Sequence, residues 1–431
     1  MFGADLRARW RVTFTPARLN QLWYVPLLSS SMALMLIRTL VAARLLDVDG
    51  FAKFSGALLI SNTFCMLNCL GLLQLLQREL PIQIVRHREV AGQKLIAQCL
   101  LVASGCAILG LLAGLAGFSV AGVGPALFAI GIFHGLSQQV FLVATVESRS
   151  RGEPFRFAQQ NFARSVGVLT LSASVAMTTR SANWTLMAEA VLGLILTQFA
   201  LRSAWARSAL ASRTIYLLAL RHLKALSWAS ALSLMAVTMI SFVVLNADRW
   251  IAAQLLVRRA FAEYAFAWTI LLVSQASQAV INASVYPLLA RRFAGVGTMA
   301  AYRVATYASL TLLSVTAIFA MPAYWAISAA IRHWFPTYSD ARALLPIFMF
   351  VAVLRLSDFW SSFLLITRLE RRLLLINLSS GVIAAAIWLV WVGARIHTGL
   401  DTQDVAALAA LLTTIGYIGT AASAWRARRG G

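Results

Sequence analysis

The stretch "RTLVAARLLDVDGFAKFSGALLI" occupies residues 38–60, and "DRWIAAQLLVRRAFAEYAFAWTI" occupies residues 248–270. Aligned without a gap, they share Ala42/Ala252, Ala43/Ala253, Leu45/Leu255, Leu46/Leu256, Phe51/Phe261, Ala52/Ala262, Ala57/Ala267 and Ile60/Ile270. Each copy reads as the end of one apolar helix, a short turn and the start of the next. The first residue changes sign, from Arg38 to Asp248. A junction repeated half a chain away points to a duplicated fold, and the sequence around it says in which solvent that fold sits.

The 431 residues are 60% hydrophobic and 12% charged, with a mean hydropathy of +0.77. A water-soluble fold cannot hide that much apolar surface, whereas a bilayer accepts it. About 20 apolar residues in helix cross a hydrocarbon core of roughly 30 Å, and the helix satisfies its own backbone groups there. Twelve such runs are expected, near residues 21–45, 54–76, 95–118, 124–145, 158–178, 183–201, 225–247, 262–287, 304–328, 343–366, 372–393 and 405–425. No connection between them is long enough to fold as a separate soluble domain.

Six crossings separate the two copies, an even number, so both enter the membrane in the same sense. The expectation is an all-α polytopic membrane protein, with twelve transmembrane helices in two parallel six-helix bundles around a central cavity. Residues 1–20 form a cytoplasmic N-terminal segment, 21–201 the first bundle, 202–224 a cytoplasmic linker, 225–425 the second bundle and 426–431 a cytoplasmic tail. Most of the 37 basic residues fall on the N-terminus, the even-numbered connections and the C-terminus, which places both termini in the cytoplasm.

A net charge of +22 raises the question of nucleic acid, but the excess is spread over short loops with no aromatic-interleaved basic module. Topology and attraction to anionic lipid account for it. The linker "RSAWARSALASRTIYLLALRHLK", residues 202–224, mixes arginine with apolar residues in the manner of a helix lying on the membrane surface. The first apolar run is longer than a signal-peptide core and reads as a retained span. Cys65, Cys69, Cys99 and Cys106 sit inside runs two and three without metal-ligand neighbours and read as small buried apolar residues; no metal or other cofactor is expected.

The junctions carry a resemblance. "AARLL" or "AAQLL" closes a span, and after a short loop "FAKFS" or "FAEYA" opens the next. This resembles the junctions of polysaccharide flippases in the MATE-like superfamily of multidrug, oligosaccharidyl-lipid and polysaccharide transporters (the MOP superfamily). Asp47, Ala52, Val257 and Ala262 stand where that pattern carries loop glycines. "LGLLQLLQRELP" at residues 70–81 and "VYPLLARRFA" at residues 285–294 fit it as well. The resemblance implies a flippase that moves an undecaprenyl-pyrophosphate-linked oligosaccharide from the inner to the outer leaflet of the bacterial cell inner membrane by alternating access. It implies membrane lipids, a polysaccharide polymerase and assembly proteins as partners, and no enzymatic activity.

Charged residues inside spans cost on the order of 2.5 to 3.5 kcal/mol each and usually face a cavity or a partner. Arg355 lies near the middle of the tenth run with Asp358 one turn on; they are either a self-neutralising pair or a site whose arginine exchanges its partner for phosphate. Arg38 and Asp248, at equivalent positions, either latch the outer gate across the cleft or snorkel separately to the interface. Arg164 either snorkels to the cytoplasm or catches incoming phosphate. Glu189 has no partner legible in sequence and is tolerable if protonated. Gln275, Gln278 and Asn282 form one polar stripe, with Asn68 the repeat equivalent of Gln278; such stripes either bond helices together or offer donors and acceptors to sugar. Pro26, Pro322 and Pro346 are expected within spans, and Pro26 is a candidate hinge.

Three rivals share parts of this pattern. A MATE-type cation-coupled exporter of small molecules would depend on the acids more than the arginines. A polyprenyl-dependent glycosyltransferase would use "DVD" at residues 47–49, but the repeat copy reads "VRR" there and no catalytic domain follows. A major-facilitator carrier lacks support in "QRELPIQIVRHREVAGQK", which is without that family's glycine- and arginine-rich loop.

Overall fold

The computed structural model describes residues 16–67, 69–120, 122–207, 210–394 and 400–428. Asn68 lies outside the described residues. The helices of the first half are α1 (Pro16–Leu45), α2 (Val48–Leu67), α3 (Leu72–Val85), α4 (Glu89–Leu115), α5 (Pro125–Ser150), α6 (Pro154–Thr179) and α7 (Ala182–Trp205). A short α8 (Ser212–Arg221) precedes the second half: α9 (Trp228–Leu255), α10 (Arg258–Val296), α11 (Thr298–Trp334), α12 (Leu345–Ser357), α13 (Trp360–Ile366), α14 (Glu370–Gly393) and α15 (Thr402–Ala427). Among the described residues no β-strand forms.

Eleven helical stretches among these residues are long and apolar enough to cross a bilayer. The remaining crossing is α6, whose 26 residues include Arg156, Gln159, Gln160, Asn161 and Arg164. Those polar residues depress its hydropathy, and α6 packs along α1 inside the bundle. At about 1.5 Å per residue, the 39 residues of α10 span roughly 58 Å, well beyond the hydrocarbon thickness.

Two crossings are interrupted. The second breaks between α2 and α3, where Gly71 takes φ 81°. A Cβ there would stand 1.8 Å from the carbonyl oxygen of Ala231 in α9, so only glycine permits this approach. The tenth begins as a 3-10 helix, Pro336–Leu344, and Pro346 opens α12 at its first turn instead of kinking a span. It breaks again at Asp358, whose carboxylate accepts the Ser361 N–H (3.2 Å) and so caps α13. Pro26 lies inside α1, which continues through it.

The repeat copies meet each other. Ala42, Ala43, Phe51, Ala52 and Ala57 share one buried cluster with Ala252, Ala253, Phe261, Ala262 and Ala267. Lipid tails are as apolar as leucine, so spans gain little from burial alone and associate through close packing, which small residues allow. That fits the identical pairs within the repeat, half of which are alanines. Tyr338 closes this end: it stacks on Phe266 at 4.6 Å, meets Phe51 edge-on at 5.6 Å, and its hydroxyl donates to the Ala43 carbonyl at 3.2 Å. Arg258 and Asp49 add an ion pair of 3.1 Å across the seam.

Toward the opposite end, the face that carries α8 and the end of α15, the halves keep separate cores. One gathers Leu72, Leu76, Ile96 and Val143 and touches the second half through Ala231; the other gathers Leu289, Ala305, Phe363 and Ala424. The halves thus share one core at the turn-bearing face and, toward the other, touch where Ala231 of α9 enters the first half's core. Helix α8 packs Ile215 and Ala219 against Ala97 of α4, and Gln98 donates to the carbonyls of Ala219 (3.4 Å) and His222 (3.1 Å).

Candidate functional site

Between the halves lies a cavity of about 670 Å³, walled by α1, α2, α5 and α6 from one side and α9 and α10 from the other. Its charged lining residues are Arg38, Arg164 and Arg249; no carboxylate lines it among the described residues. Asn62, Gln138, Asn161 and Thr269 add uncharged donors and acceptors, and the rest of the wall is largely Leu, Met, Ala and Val. Volume and composition suit a ligand with one polar, anionic part.

The three arginines are held differently. Arg38, in α1, donates to Glu189 Oε2 of α7 at 2.9 Å, with both side chains buried. The same oxygen meets His134 Nε2 at 3.1 Å, and His134 Nδ1 meets Ser61 Oγ at 2.8 Å. A carboxylate at Nε2 requires the imidazole proton there, which leaves Nδ1 to accept from Ser61. Four helices, α1, α2, α5 and α7, are joined by this chain, and its carboxylate already balances the Arg38 charge. Arg164, in α6, lies over the Phe141 ring at 4.8 Å. Its Nε has no hydrogen-bond partner among the described residues.

Arg249, in α9, lies over the Trp268 ring at 4.1 Å. Asp248 sits behind this pair, fully buried, accepting from the Tyr264 hydroxyl at 2.6 Å and from Trp268 Nε1 at 3.2 Å. The carboxylate therefore orients the indole that cradles Arg249. Neither Arg164 nor Arg249 makes an ion pair among the described residues.

Several expected groupings are redrawn. Arg38 and Asp248 do not meet: each has its own partners within its own half, and the contacts between the halves at this end are those of Tyr338 and of Arg258 with Asp49 instead. Glu189, expected without a partner, has two. Arg355 and Asp358 form no ion pair, because the helix ends between them and turns Asp358 onto α13. Arg355, Gln275 and Gln278 line a second cavity of about 270 Å³ inside the second half, apart from the three central arginines. Asn282 receives the Ser362 hydroxyl at 3.2 Å and so ties α10 to α13.

Arg249, His134 and Trp268 escaped the sequence reading. The seventh run was expected to end at residue 247, before the charged pair, whereas α9 continues to Leu255. The doublet Asp248-Arg249 was the available signal.

The chain is a multi-pass helical membrane protein with the fold of MATE-type transporters. It superposes on an inward-facing multidrug resistance MATE family transporter of the MOP superfamily with TM-score 0.61 at 12% identity, over 93% of this chain and 95% of that one. The lipid II flippase MurJ, in an inward closed conformation, gives TM-score 0.60 at 10% identity, over 93% of this chain and 87% of that one. A MOP superfamily transporter from Pyrococcus furiosus, described by the reverse polarity of its binding pocket, gives 0.56 at 12% identity over 94% and 95%. No protein-family model and no curated protein sequence matches the chain.

Proposed function

We propose that the protein is a flippase for an anionic, polyprenyl-pyrophosphate-linked oligosaccharide, undecaprenyl-linked in a bacterial inner membrane, working by alternating access. The observation that carries this reading is a cavity between the halves with three guanidinium groups and no lining carboxylate among the described residues. Guanidinium forks match phosphate oxygens in geometry and charge. The lipid tail stays in the bilayer while the cavity spares the charged head a passage through hydrocarbon. With the basic connections in the cytoplasm, the sealed end faces outward and the cavity is reached from the cytoplasmic side. Rocking the halves about the alanine-lined seam would then open the Tyr338 seal.

A MATE-type exporter of organic cations shares the fold, but the cavity walls would repel its cargo. The acids that such a mechanism would use, Asp248 and Glu189, are turned away from the cavity into bonds with Tyr264, Trp268, Arg38 and His134.

The test is deletion in the source bacterium, followed by assay of lipid-linked repeat units on each side of the membrane. Accumulation on the cytoplasmic face, relieved by the wild-type protein and not by Arg249→Gln, is the expected result. Unchanged polysaccharide together with lost resistance to cationic drugs would overturn the flippase reading.

A further inference from the structure

The central cavity is unevenly lined. Its three amide side chains, Asn62 of α2, Gln138 of α5 and Asn161 of α6, all belong to the first half, while the second half offers Arg249, Thr269 and Ser277 in an otherwise apolar or aromatic wall. Which atoms the amides present follows from their bonds. Asn161 Nδ2 donates to the Phe157 carbonyl at 2.8 Å, so the free atom is its Oδ1. Glu189 holds the His134 proton on Nε2, which makes Nδ1 an acceptor. Gln138 Nε2 lies 3.3 Å from that nitrogen and donates to it, leaving Gln138 Oε1 free. Both oxygens keep open surface, and the Asn62 amide has no hydrogen bond among the described residues. Asp47, Pro125 and Arg180 line one pocket on the turn-bearing face, so α2 runs away from that face and α6 runs toward it. Asn62, late in α2, and Asn161, early in α6, therefore lie on the loading side of Arg38 and Arg249, which come near the turn-bearing ends of α1 and α9.

We propose that Asn62, Gln138 and Asn161 form a subsite for the sugar directly attached to the pyrophosphate, accepting its hydroxyl protons while the arginines hold the phosphates. The inference rests on the flippase reading and deepens it. A guanidinium only donates, so phosphate oxygens satisfy it. The amide carbonyls only accept, and an ionised pyrophosphate has no proton to offer them. The two sets of groups thus call for adjoining parts of one ligand, the first anionic and the second rich in O–H donors. Asn161 and Arg164, three residues apart, share one face of α6, so the two parts meet on a single helix. With the phosphates at the deeper arginines, the first sugar lies on the loading side at the level of the amides, and further sugars extend away from the seam. Gln275 and Gln278, the glutamines weighed for sugar contact, line the other cavity, so reading of the first sugar falls to the first half.

The experiment titrates the purified full chain calorimetrically with three ligands: farnesyl pyrophosphate, the same lipid carrying glucose on its terminal phosphate, and that glucoside with its hydroxyls O-methylated. The glucoside should bind about two- to tenfold more tightly than farnesyl pyrophosphate for each amide engaged, and the methylated glucoside should gain nothing. Asn62→Ala and Asn161→Ala should each shrink the ratio between the Kd values of farnesyl pyrophosphate and the glucoside, whereas Arg249→Gln weakens both ligands alike and keeps the ratio. Should Asn161→Ala fail to fold, Asn62→Ala, which breaks no hydrogen bond, decides. Three results would overturn the subsite and leave pyrophosphate binding standing: a glucoside no tighter than farnesyl pyrophosphate, a methylated glucoside as tight as the free one, or a ratio unchanged by these substitutions. Failure of the wild-type protein to bind any of the three would overturn the flippase reading and the subsite with it.

Discussion

Replacing Arg249 with glutamine keeps a long polar side chain over Trp268 and removes the one positive charge that the second half contributes to the central cavity. Two unit charges about 4 Å apart attract by roughly 4 kcal/mol at an effective dielectric constant near 20, and desolvation takes back much of this. The net value of a hydrogen bond to a charged group is about 1.5–3 kcal/mol. At about 1.4 kcal/mol per decade of affinity, Arg249→Gln should weaken pyrophosphate binding by roughly ten- to one-hundred-fold. Arg164→Gln should do the same from the opposite wall. Arg38→Gln should cost less affinity than either, because Glu189 already balances that charge, and more stability, because it strands a buried carboxylate. The assay is calorimetric titration of the purified protein with farnesyl pyrophosphate at two salt concentrations. If neither Arg164→Gln nor Arg249→Gln changes Kd by more than about threefold, less than 1 kcal/mol, the cavity is not where pyrophosphate binds and the argument from its charge fails.

Three further outcomes follow from the packing. Glu189→Ala leaves Arg38 buried without its counter-charge, a change that typically costs about 3–5 kcal/mol, and thermal unfolding should register it as a large fall in Tm, with no fall if the pair is not formed. At the seal, Tyr338→Ala removes a 2%-exposed ring packed on Phe51 and Phe266, a loss of about 3–5 kcal/mol by analogy with other buried aromatics; Asp49→Asn, at a half-exposed ion pair worth about 0–1 kcal/mol, should barely alter cysteine accessibility across the seam. Burial raises the Glu153 carboxyl, but the Arg156 hydrogen bond and the charges of Arg207 and Arg156 outweigh it and hold its pKa below the ordinary 4.5. A carboxyl lowered by folding lends stability above its unfolded pKa and loses it as pH falls through the folded value; Tm should drop on acidification below about pH 4, less steeply in Glu153→Gln.

The architecture was legible because hydropathy and the repeated junction are properties of single segments. Apolar length counts crossings, and the parity between the copies orients the halves. The alanine pairs at the junction, read only as signs of a repeat, lie where the halves touch, since small residues matter most at such contacts. The sites were less legible because a residue's spacing gives its face on its own helix, not the neighbour that face meets. Gln275 and Gln278 do share a face, as expected, but α10 turns it into the second half. Arg355 and Asp358 satisfied the spacing for a pair, and a helix break between them removed it. Arg249 was passed over because a charged doublet resembles the end of a span, when tertiary burial had carried the helix past it.

Arg164 and Arg249 stand on opposite halves, which, on the proposed function, would give the site an order of events. A cargo with two linked phosphates that engaged both arginines would pin the halves together on the loading side. A single phosphate would engage one wall and leave the other loose. The number of phosphoryl groups on the cargo would then decide whether the machine commits to turning over or idles, a form of selectivity that needs no recognition of the sugar.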